Sequence, residues 1–236
     1  MPFIKDLSDK YHIVLGSSSP RRLDILTNNI GLAEIEVIIP TFEENLDKGN
    51  YINNPLQYVL DTSYYKALNL LDIIQNSNNF STNKNKPVIC ICCDTIVTKN
   101  NIIYEKPSSP AENLKNLKEF CYSNGNKSNN IVSVISSVVI IEINNKNINN
   151  NEQTCIKNYK LHKFHEITNL EFDPETPIEL IKDWVDTGNG LNASGGFQIQ
   201  KFSGCFISKI DGDYFNVMGL PFNKTVKTLY DIYKNN

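Results

Sequence analysis

The chain has 236 residues and a formal net charge of −3, and hydrophobic and charged residues make up 40% and 21% of it. This composition is ordinary for a soluble globular protein, and the charge excludes a global basic surface of the kind that holds nucleic acid or an anionic membrane. An anionic substrate would have to be held by a few well-positioned cations.

Nothing in the chain predicts membrane insertion or export. The longest apolar run, Ile131–Ile143, is interrupted by serines and is too short to cross a bilayer. The segment Met1–Lys10 contains acidic residues and lacks the apolar core of a signal peptide. We therefore expect an intracellular, cytoplasmic protein with no stable nucleic-acid or membrane partner.

The amino-terminal half alternates between strand and helix patterns. A short apolar strand runs into a serine-rich loop, after which Ser19 and Pro20 are typical of a helix cap and first turn. A longer helix follows, with apolar residues at helical spacing. The predicted elements are a strand at Tyr11–Leu15, a helix from Pro20, a strand at Glu36–Ile39, a helix at Pro55–Gln75, and strands at Val88–Cys93 and Asn101–Tyr104.

The carboxy-terminal half combines helices with a long buried strand. Capping boxes at Ser109 and Thr176 predict two helix starts, the second helix ending near Gly188. Because several strand pairs have no helix between them, the predicted class is α/β with a mixed sheet. The other predicted elements are a strand at Ile131–Ile143 with a bulge at Ser136-Ser137, a hairpin of Cys205–Ile210 and Tyr214–Met218, and a closing helix at Pro221–Tyr233.

Three asparagine-rich stretches are predicted to be surface loops within a single domain spanning 1–236, with its core at 11–233. They contain too few apolar residues to offset the entropy cost of ordering them. The stretches are Gln75–Lys86, Ser123–Asn130 and Asn144–Gln153.

The loop that begins at Gly16, together with Arg21, is a candidate phosphate site. Small residues leaving a strand let backbone N–H groups approach a phosphate, and an arginine in the first helical turn adds a planar donor fork. Because an arginine there opposes the helix dipole, a bound anion would explain it. Taken alone, the segment is equally typical of an ordinary N-cap followed by a solvated arginine pair.

Two acidic positions are candidates for catalysis or metal binding. Asp94 ends a predicted apolar strand, where a carboxylate suits a metal ligand or a general base. Glu44 and its neighbour Glu43 follow an earlier strand, and paired carboxylates can hold Mg²⁺. The simpler alternatives are a turn aspartate and an acidic surface loop.

Two lysines and a glutamine complete the candidates. Lys106 precedes Pro107 and so lies in extended backbone, where a compact cation can be aimed at a phosphate. Lys66 lies on the predicted helix that follows Glu44. Gln200 follows two glycines and could read an amide edge of a base or orient a water. Each is also compatible with a solvated surface position.

No other catalytic set competes well. The sequence has neither a Gly-x-Ser-x-Gly elbow nor a P-loop signature, and its cysteines fit neither a zinc ribbon nor a disulfide framework. His162 and His165 are three apart on a predicted strand and so face opposite sides. Reduced core thiols are the expectation, with a thiol enzyme using Cys92 or Cys93 as an alternative.

Together and in order, these segments resemble the motifs of the Maf family. Ser-Ser-Ser-Pro-Arg-Arg matches its amino-terminal motif, and Cys-Asp-Thr-Ile-Val resembles its Ala-Asp-Thr-Ile/Val-Val motif. The resemblance covers about Tyr11 to Tyr233, and the segments from Thr41 to Lys48 and from Asp61 to Ala67 look like the fungal branch. The matching segments are Leu15–Arg22, Cys93–Val97, Glu105–Pro107, Gly195–Gln200 and Gly212–Pro221.

The resemblance implies a fold like that of inosine triphosphate pyrophosphatase, with an elongated mixed sheet flanked by helices and a central cleft between two lobes. It implies hydrolysis of a nucleoside triphosphate to a monophosphate and pyrophosphate with Mg²⁺ or Mn²⁺, by a monomer or a homodimer. The implied roles are phosphate binding by Ser17, Arg21, Lys66 and Lys106, metal binding by Glu44, general-base catalysis or metal binding by Asp94, and an active-site position for Gln200.

Some details bear on the branch and on the activity. Gly-Phe-Gln-Ile-Gln resembles the branch that acts on dTTP and UTP, unlike the Ser-Phe-Lys branch that prefers 7-methyl-GTP. Gly16 and Cys93 replace common alanines, and Asn192-Ala193-Ser194 stands where many members have Asp-Lys-Ala. The alternative function is a nucleotide-binding regulatory module with negligible turnover, linked to cell division.

Overall fold

The computed structural model of the chain describes residues 2–44, 46–77, 86–122, 130–143 and 159–235. It is a mixed α/β structure, as the sequence predicts. Most of each asparagine-rich stretch lies outside the described residues. No helix within these ranges is long and apolar enough to span a bilayer.

Within the described residues, seven strands form one mixed sheet. The strands are β1 (His12–Gly16), β2 (Glu36–Val37), β3 (Val88–Lys99), β4 (Ile102–Tyr104), β5 (Ile131–Ile143), β6 (Tyr159–Phe172) and β7 (Ile207–Asp211). Their order is β2-β1-β3-β5-β6-β7, and β4 pairs with β3. The β1 strand is parallel to β2 and β3, whereas the pairings of β3, β5, β6 and β7 with one another are antiparallel.

Helices cover both faces of the sheet. They are α1 (Pro2–Lys10), α2 (Pro20–Asp24), α3 (Pro55–Asn76), α4 (Pro110–Cys121), α5 (Ile178–Asp186), α6 (Tyr214–Met218) and α7 (Phe222–Lys234). A π-helical turn at Ile25–Ile30 continues α2, and short 3-10 turns occupy much of the chain between α5 and β7.

The core divides along the two long central strands. Successive β3 side chains point to opposite faces, so Cys92 packs with Leu70 of α3, and Ile91 packs with Leu229 of α7. Further along β3, Val97 packs into a separate cluster with α4 and α5. Helix groups at the two ends of the sheet therefore share β3 and β5, which run beneath both.

The edge of β3 is interrupted in its middle. Parallel pairing with β1 ends at Gly16 opposite Cys92, and antiparallel pairing with β4 begins only at Val97. Between these points Cys93–Ile96 pair with β5 alone, and we call this segment the β3 gap. The prediction that the strand ends before Asp94 is wrong, because the apolar pattern stops where the neighbouring strand ends.

The predicted hairpin after residue 205 is also wrong. Tyr214–Met218 forms α6, because the Asp213 carboxylate accepts hydrogen bonds from the amides of Phe215 and Asn216 at 2.8 and 3.2 Å. Its other oxygen accepts from the amide of Phe222 at the start of α7, at 2.8 Å. One aspartate thus caps two helices, and β7 pairs instead with β6.

Three smaller features of the structure differ from the predictions made from the sequence. The β5 strand has no bulge in its pairing with β3, which continues in register through Ser136 and Ser137. The Ser109 hydroxyl caps α4 by accepting from the amide of Glu112, as predicted, but the Thr176 hydroxyl does not cap α5. The helix α1 was not predicted, although its buried Ile4 and Leu7 lie on one face.

Substitution of Gly16 tests how tightly the core is packed where β1 ends. A Cβ atom at this position would lie 2.5 Å from Cys92 Sγ and 2.8 Å from Leu70 Cδ2. We predict that Gly16→Ala lowers the free energy of unfolding by about 1–3 kcal/mol, because the added methyl overfills the core. Urea denaturation of Gly16→Ala in the wild-type and Cys92→Ala backgrounds checks this. The cost should be smaller without the thiol, and an equal cost in both backgrounds would contradict the overlap.

Candidate active site

A cleft of about 840 Å³ opens beside the β3 gap. Its size falls within the ~300–1,000 Å³ range of small-molecule sites. It is lined by the loop after β1, the start of α2, the β2–α3 connection, α3 and the segment between α5 and β7. Seven of the candidate residues named from the sequence line this cleft, namely Ser17, Arg21, Glu44, Lys66, Asp94, Lys106 and Gln200, whereas Glu43 does not.

Two carboxylates converge on one ammonium at the centre of the cleft. Lys66 Nζ donates to Asp94 Oδ1 at 2.7 Å and lies 2.8 Å from Glu44 Oε1. The side chains of Lys66 and Asp94 are each only 8% exposed, whereas that of Glu44 is 59% exposed. The buried pair is therefore largely removed from water, while Glu44 closes the cluster from the solvent side.

The packing of α3 explains why Lys66 reaches the β3 gap. Asp94 lies on the same face of β3 as Cys92, which packs against α3. One turn before Lys66, the hydroxyl of Ser63 is 2.6 Å from that of Ser137, which pairs with Asp94 across the sheet. A polar contact between α3 and β5 thus lies beside the ion pair and fixes the position of Lys66 along β3.

Arg22 joins three segments around the cleft. Its guanidinium donates to Gly219 O at 2.9 Å, to Ser17 Oγ at 2.9 Å and to Thr95 Oγ1 at 3.1 Å. The Gly219 carbonyl also accepts from the Thr95 hydroxyl at 3.2 Å, and Gly219 adopts a φ of 119°, which favours glycine. The alternative of a solvated arginine pair is therefore wrong for Arg22.

Ser17 and Arg21 present donors to the cleft. Ser17 Oγ accepts from Arg22 and from the amide of Ser19 at 3.2 Å, so its own proton remains for donation to a third group. Arg21 Nε donates to Met218 O at 3.3 Å. Burial, and secondarily repulsion from Arg22, lower the pKa of Arg21. Two adjacent guanidinium groups here favour a bound anion, which would relieve that repulsion.

Amide side chains and two further lysines also line the cleft. Gln200 Nε2 donates weakly to Gln198 Oε1 at 3.4 Å, and Gln198 Nε2 donates to Asn189 O at 2.7 Å. Lys106 and Lys201 are exposed and line the same cleft. Gln198 was not singled out from the sequence, although its position between Gly196 and Gln200 was the available signal.

The cysteines beside the site are not suited to nucleophilic catalysis. Cys92 and Cys93 are fully buried, and burial raises the pKa of Cys92 to about 12 and also raises that of Cys93. Both thiols are therefore protonated and shielded at neutral pH. The fully buried Cys90 and Cys121 complete the expected core thiols, while Cys205 is exposed. The thiol-enzyme alternative has no support in this geometry.

The donor set fits a divalent cation only in part. Carboxylate oxygens are the ligands that Mg²⁺ prefers, and Asp94 and Glu44 each direct one toward the same point. Within the described ranges, no group of three or more His, Cys, Asp or Glu side chains could hold a metal ion. Such an ion would need further oxygen ligands from water or from a bound phosphate chain.

Comparison with known proteins places the chain among nucleotide-hydrolysing relatives. A family model described as Maf-like protein matches residues 12–232. The dTTP/UTP pyrophosphatase of Saccharomyces cerevisiae is 39% identical over 95% of this chain and 91% of its own length. That of Schizosaccharomyces pombe is 30% identical over 95% of this chain and 85% of its own length.

One solved structure shows a distant likeness. The crystal structure of a nucleoside-triphosphatase, a dITP/XTP pyrophosphatase from Mycobacterium abscessus, is 10% identical. The match covers 69% of this chain and 74% of that chain with a TM-score of 0.34. A likeness this weak carries no argument about the fold, so the expected similarity to inosine triphosphate pyrophosphatase stays a prediction.

The two arginines should differ in their effect on stability. We predict that Arg22→Lys lowers the free energy of unfolding by about 1–3 kcal/mol, because a lysine cannot reproduce the three-way fork and leaves buried acceptors unpaired. Arg21→Lys is the matched control and should cost less, since Arg21 contacts one carbonyl at 3.3 Å. Urea denaturation of both variants measures the difference. Equal losses would show that the Arg22 contacts contribute little.

Proposed function

This chain belongs to the Maf family, and we propose that it hydrolyses nucleoside triphosphates, with dTTP and UTP preferred, to a nucleoside monophosphate and pyrophosphate. The observation that carries the proposal is the convergence of Asp94, Glu44 and Lys66 in the same cleft as the Ser17 and Arg21 donors. Carboxylates beside phosphate-binding cations are what hydrolysis of a charged anhydride requires. The names of the yeast relatives support the substrate preference.

Ser17, Arg21 and Lys106 would bind the triphosphate. The Ser17 hydroxyl has a proton to donate, the Arg21 fork suits phosphate oxygens, and Lys106 adds a second cation to the lining of the cleft. These donors would also stabilise the negative charge that builds up on the leaving pyrophosphate. With a net charge of −3 over the whole chain, this local cluster must supply the attraction.

Asp94 would act as the general base. Lys66 donates to its Oδ1, which leaves Oδ2 to take a proton from an attacking water. The water oxygen bonds to phosphorus as the anhydride bond to the pyrophosphate breaks. A share for Asp94 in metal binding is compatible with this geometry and stays part of the proposal.

Glu44 and Asp94 are the residues that would hold Mg²⁺ or Mn²⁺. When bound with a nucleotide, such an ion supplies neutralisation of the triphosphate charge. Glu44 is mostly exposed and lies on the β2–α3 connection, so its carboxylate is accessible from the solvent side to an ion that arrives with a nucleotide.

Gln200 would contribute to recognition of the base. The uracil and thymine edge offers an N–H donor beside carbonyl acceptors, and a side-chain amide offers the complementary acceptor and donor. The weak hydrogen bond to Gln198 orients the Gln200 amide without using its oxygen.

A homodimer also remains a prediction from the family resemblance.

A nucleotide-binding regulatory module is the second candidate. The same cleft could hold a nucleotide without turning it over. Against this, a pure binder gains nothing from a buried carboxylate facing a phosphate chain, because like charges repel. Asp94 is such a carboxylate and is only 6% exposed.

Pyrophosphate release by the purified protein tests the proposal directly. A panel of canonical and modified nucleoside triphosphates is assayed with Mg²⁺ or Mn²⁺ and with a chelator. We expect metal-dependent release from dTTP and UTP. For Asp94→Asn we expect kcat to fall by about 10²- to 10⁴-fold because the base is lost, with far-UV circular dichroism unchanged. A fully active Asp94→Asn enzyme would refute the role of Asp94, and nucleotide binding without any release would favour the regulatory module.

Arg21→Ala tests the phosphate site separately. Loss of a charge-assisted contact should weaken binding of a triphosphate by about tenfold or more, measured as KM and as the affinity for a non-hydrolysable analogue. Lys224→Ala, which removes a cation that donates to His165 O away from the cleft, is the control and should leave both values unchanged. Unaltered kinetics and affinity in Arg21→Ala would exclude it from phosphate binding.

A further inference from the structure

Lys66 occupies the point on which the two candidate metal ligands converge. We propose that Lys66 is a built-in competitor for the divalent cation, which keeps the metal weakly bound until a triphosphate draws the ammonium away from Glu44 and Asp94. Metal and nucleotide would then bind cooperatively. This inference rests on the proposed function and concerns the regulation of the same site.

The distances leave little room for a second cation at the same oxygens. Lys66 Nζ lies 2.7 Å from Asp94 Oδ1 and 2.8 Å from Glu44 Oε1, which are the separations of charge-assisted hydrogen bonds. A Mg²⁺ ion binds carboxylate oxygens at about 2.0–2.1 Å. An ion that used these two oxygens would therefore have to displace the ammonium.

The charges of the cluster also indicate that Lys66 weakens the binding of a divalent cation. Two carboxylates and one ammonium leave the cluster with one net negative charge, whereas the carboxylates alone would carry two. The pair formed by Lys66 and Asp94 is nearly buried, so their mutual attraction and any repulsion of a second cation are weakly screened by solvent. Lys66 should thus lower the affinity of the site for a free divalent ion.

A triphosphate supplies what is needed to move the lysine. Lys66 lines the cleft together with Ser17, Arg21 and Lys106, so phosphate oxygens held by those donors come within reach of its flexible side chain. The ammonium can exchange a carboxylate partner for a phosphate partner without losing its charge pairing. The released carboxylate oxygens and the phosphates then provide ligands for the cation together.

A purely structural role for Lys66 makes a different prediction. If the lysine only neutralises buried Asp94, its removal should destabilise the fold and leave the intrinsic metal affinity unchanged or lower. If it competes with the metal, its removal should raise that affinity. Metal affinity without nucleotide therefore separates the two roles, and no turnover is needed to measure it.

The experiment measures Mn²⁺ binding to the full-length protein from the electron paramagnetic resonance signal of free Mn²⁺. Titrations are made without nucleotide and with the α,β-methylene analogue of UTP. For wild type we expect weak Mn²⁺ binding alone and tighter binding with the analogue. For Lys66→Gln, whose amide can still donate to Asp94, we expect Mn²⁺ alone to bind about tenfold more tightly and the coupling to shrink.

Two further variants keep the test decisive. Lys106→Gln removes the same charge from the same cleft but leaves the ion pairs of Lys66 with Glu44 and Asp94 in place, and it should not raise the affinity for Mn²⁺ alone. Lys66→Met replaces Lys66→Gln if thermal unfolding shows that the latter does not fold. Tight binding of Mn²⁺ alone by wild type, or an unchanged or lower affinity in the Lys66 variant, would overturn the proposal.

Failure of this inference is distinguishable from failure of the proposed function. Wild-type pyrophosphate release with no change of Mn²⁺ affinity in the Lys66 variant would retain the enzyme and discard the competitor. The converse result, competition without turnover from any nucleotide, would retain the competitor within a regulatory module.

Discussion

The candidate site depends on the β3 gap, where a central strand loses one neighbour before it gains the next. Because Cys93–Ile96 pair only with β5, their other edge faces a cleft instead of a strand. Side chains still alternate there, so Asp94 points to the α3 face and Thr95 to the opposite face. A short interruption in hydrogen bonding thus brings groups from both sides of the sheet to one opening.

The polar groups around the gap make hydrogen bonds and ion pairs with one another. Arg22 donates hydrogen bonds to the loop after β1, the β3 gap and the Gly219 turn. Lys66 of α3 forms ion pairs with Asp94 and with Glu44 of the β2–α3 connection. The two cations have different tasks. Arg22 donates to neutral acceptors in three segments, whereas Lys66 is paired with two carboxylates.

The sequence predicts site residues well where residue type and local motif decide the chemistry. It predicts structure less well where distant parts of the chain decide it. The candidates Ser17, Arg21 and Asp94 were identified from local motifs, and they line one cleft. The end of β3 was misjudged because periodicity reports burial, and an open edge resembles a strand end. Tyr214–Met218 has strand-like residues, but capping by Asp213 makes it helical. The gap is not visible without the neighbouring strands, whereas the Asp213 cap is local to the chain and competes with the strand-like residues that follow it.

The cleft brings together two segments that are far apart in the sequence. Arg21 and Arg22 donate to the carbonyls of Met218 and Gly219, 197 residues further along, and Asp213 caps the helices on either side of that turn. During synthesis, a nascent chain that has exposed its serine loop still lacks these acceptors. Because ribosomes add residues from the amino terminus, at about 5–20 per second, nucleotide recognition should begin only after the segment that contains Met218 and Gly219 has been synthesised.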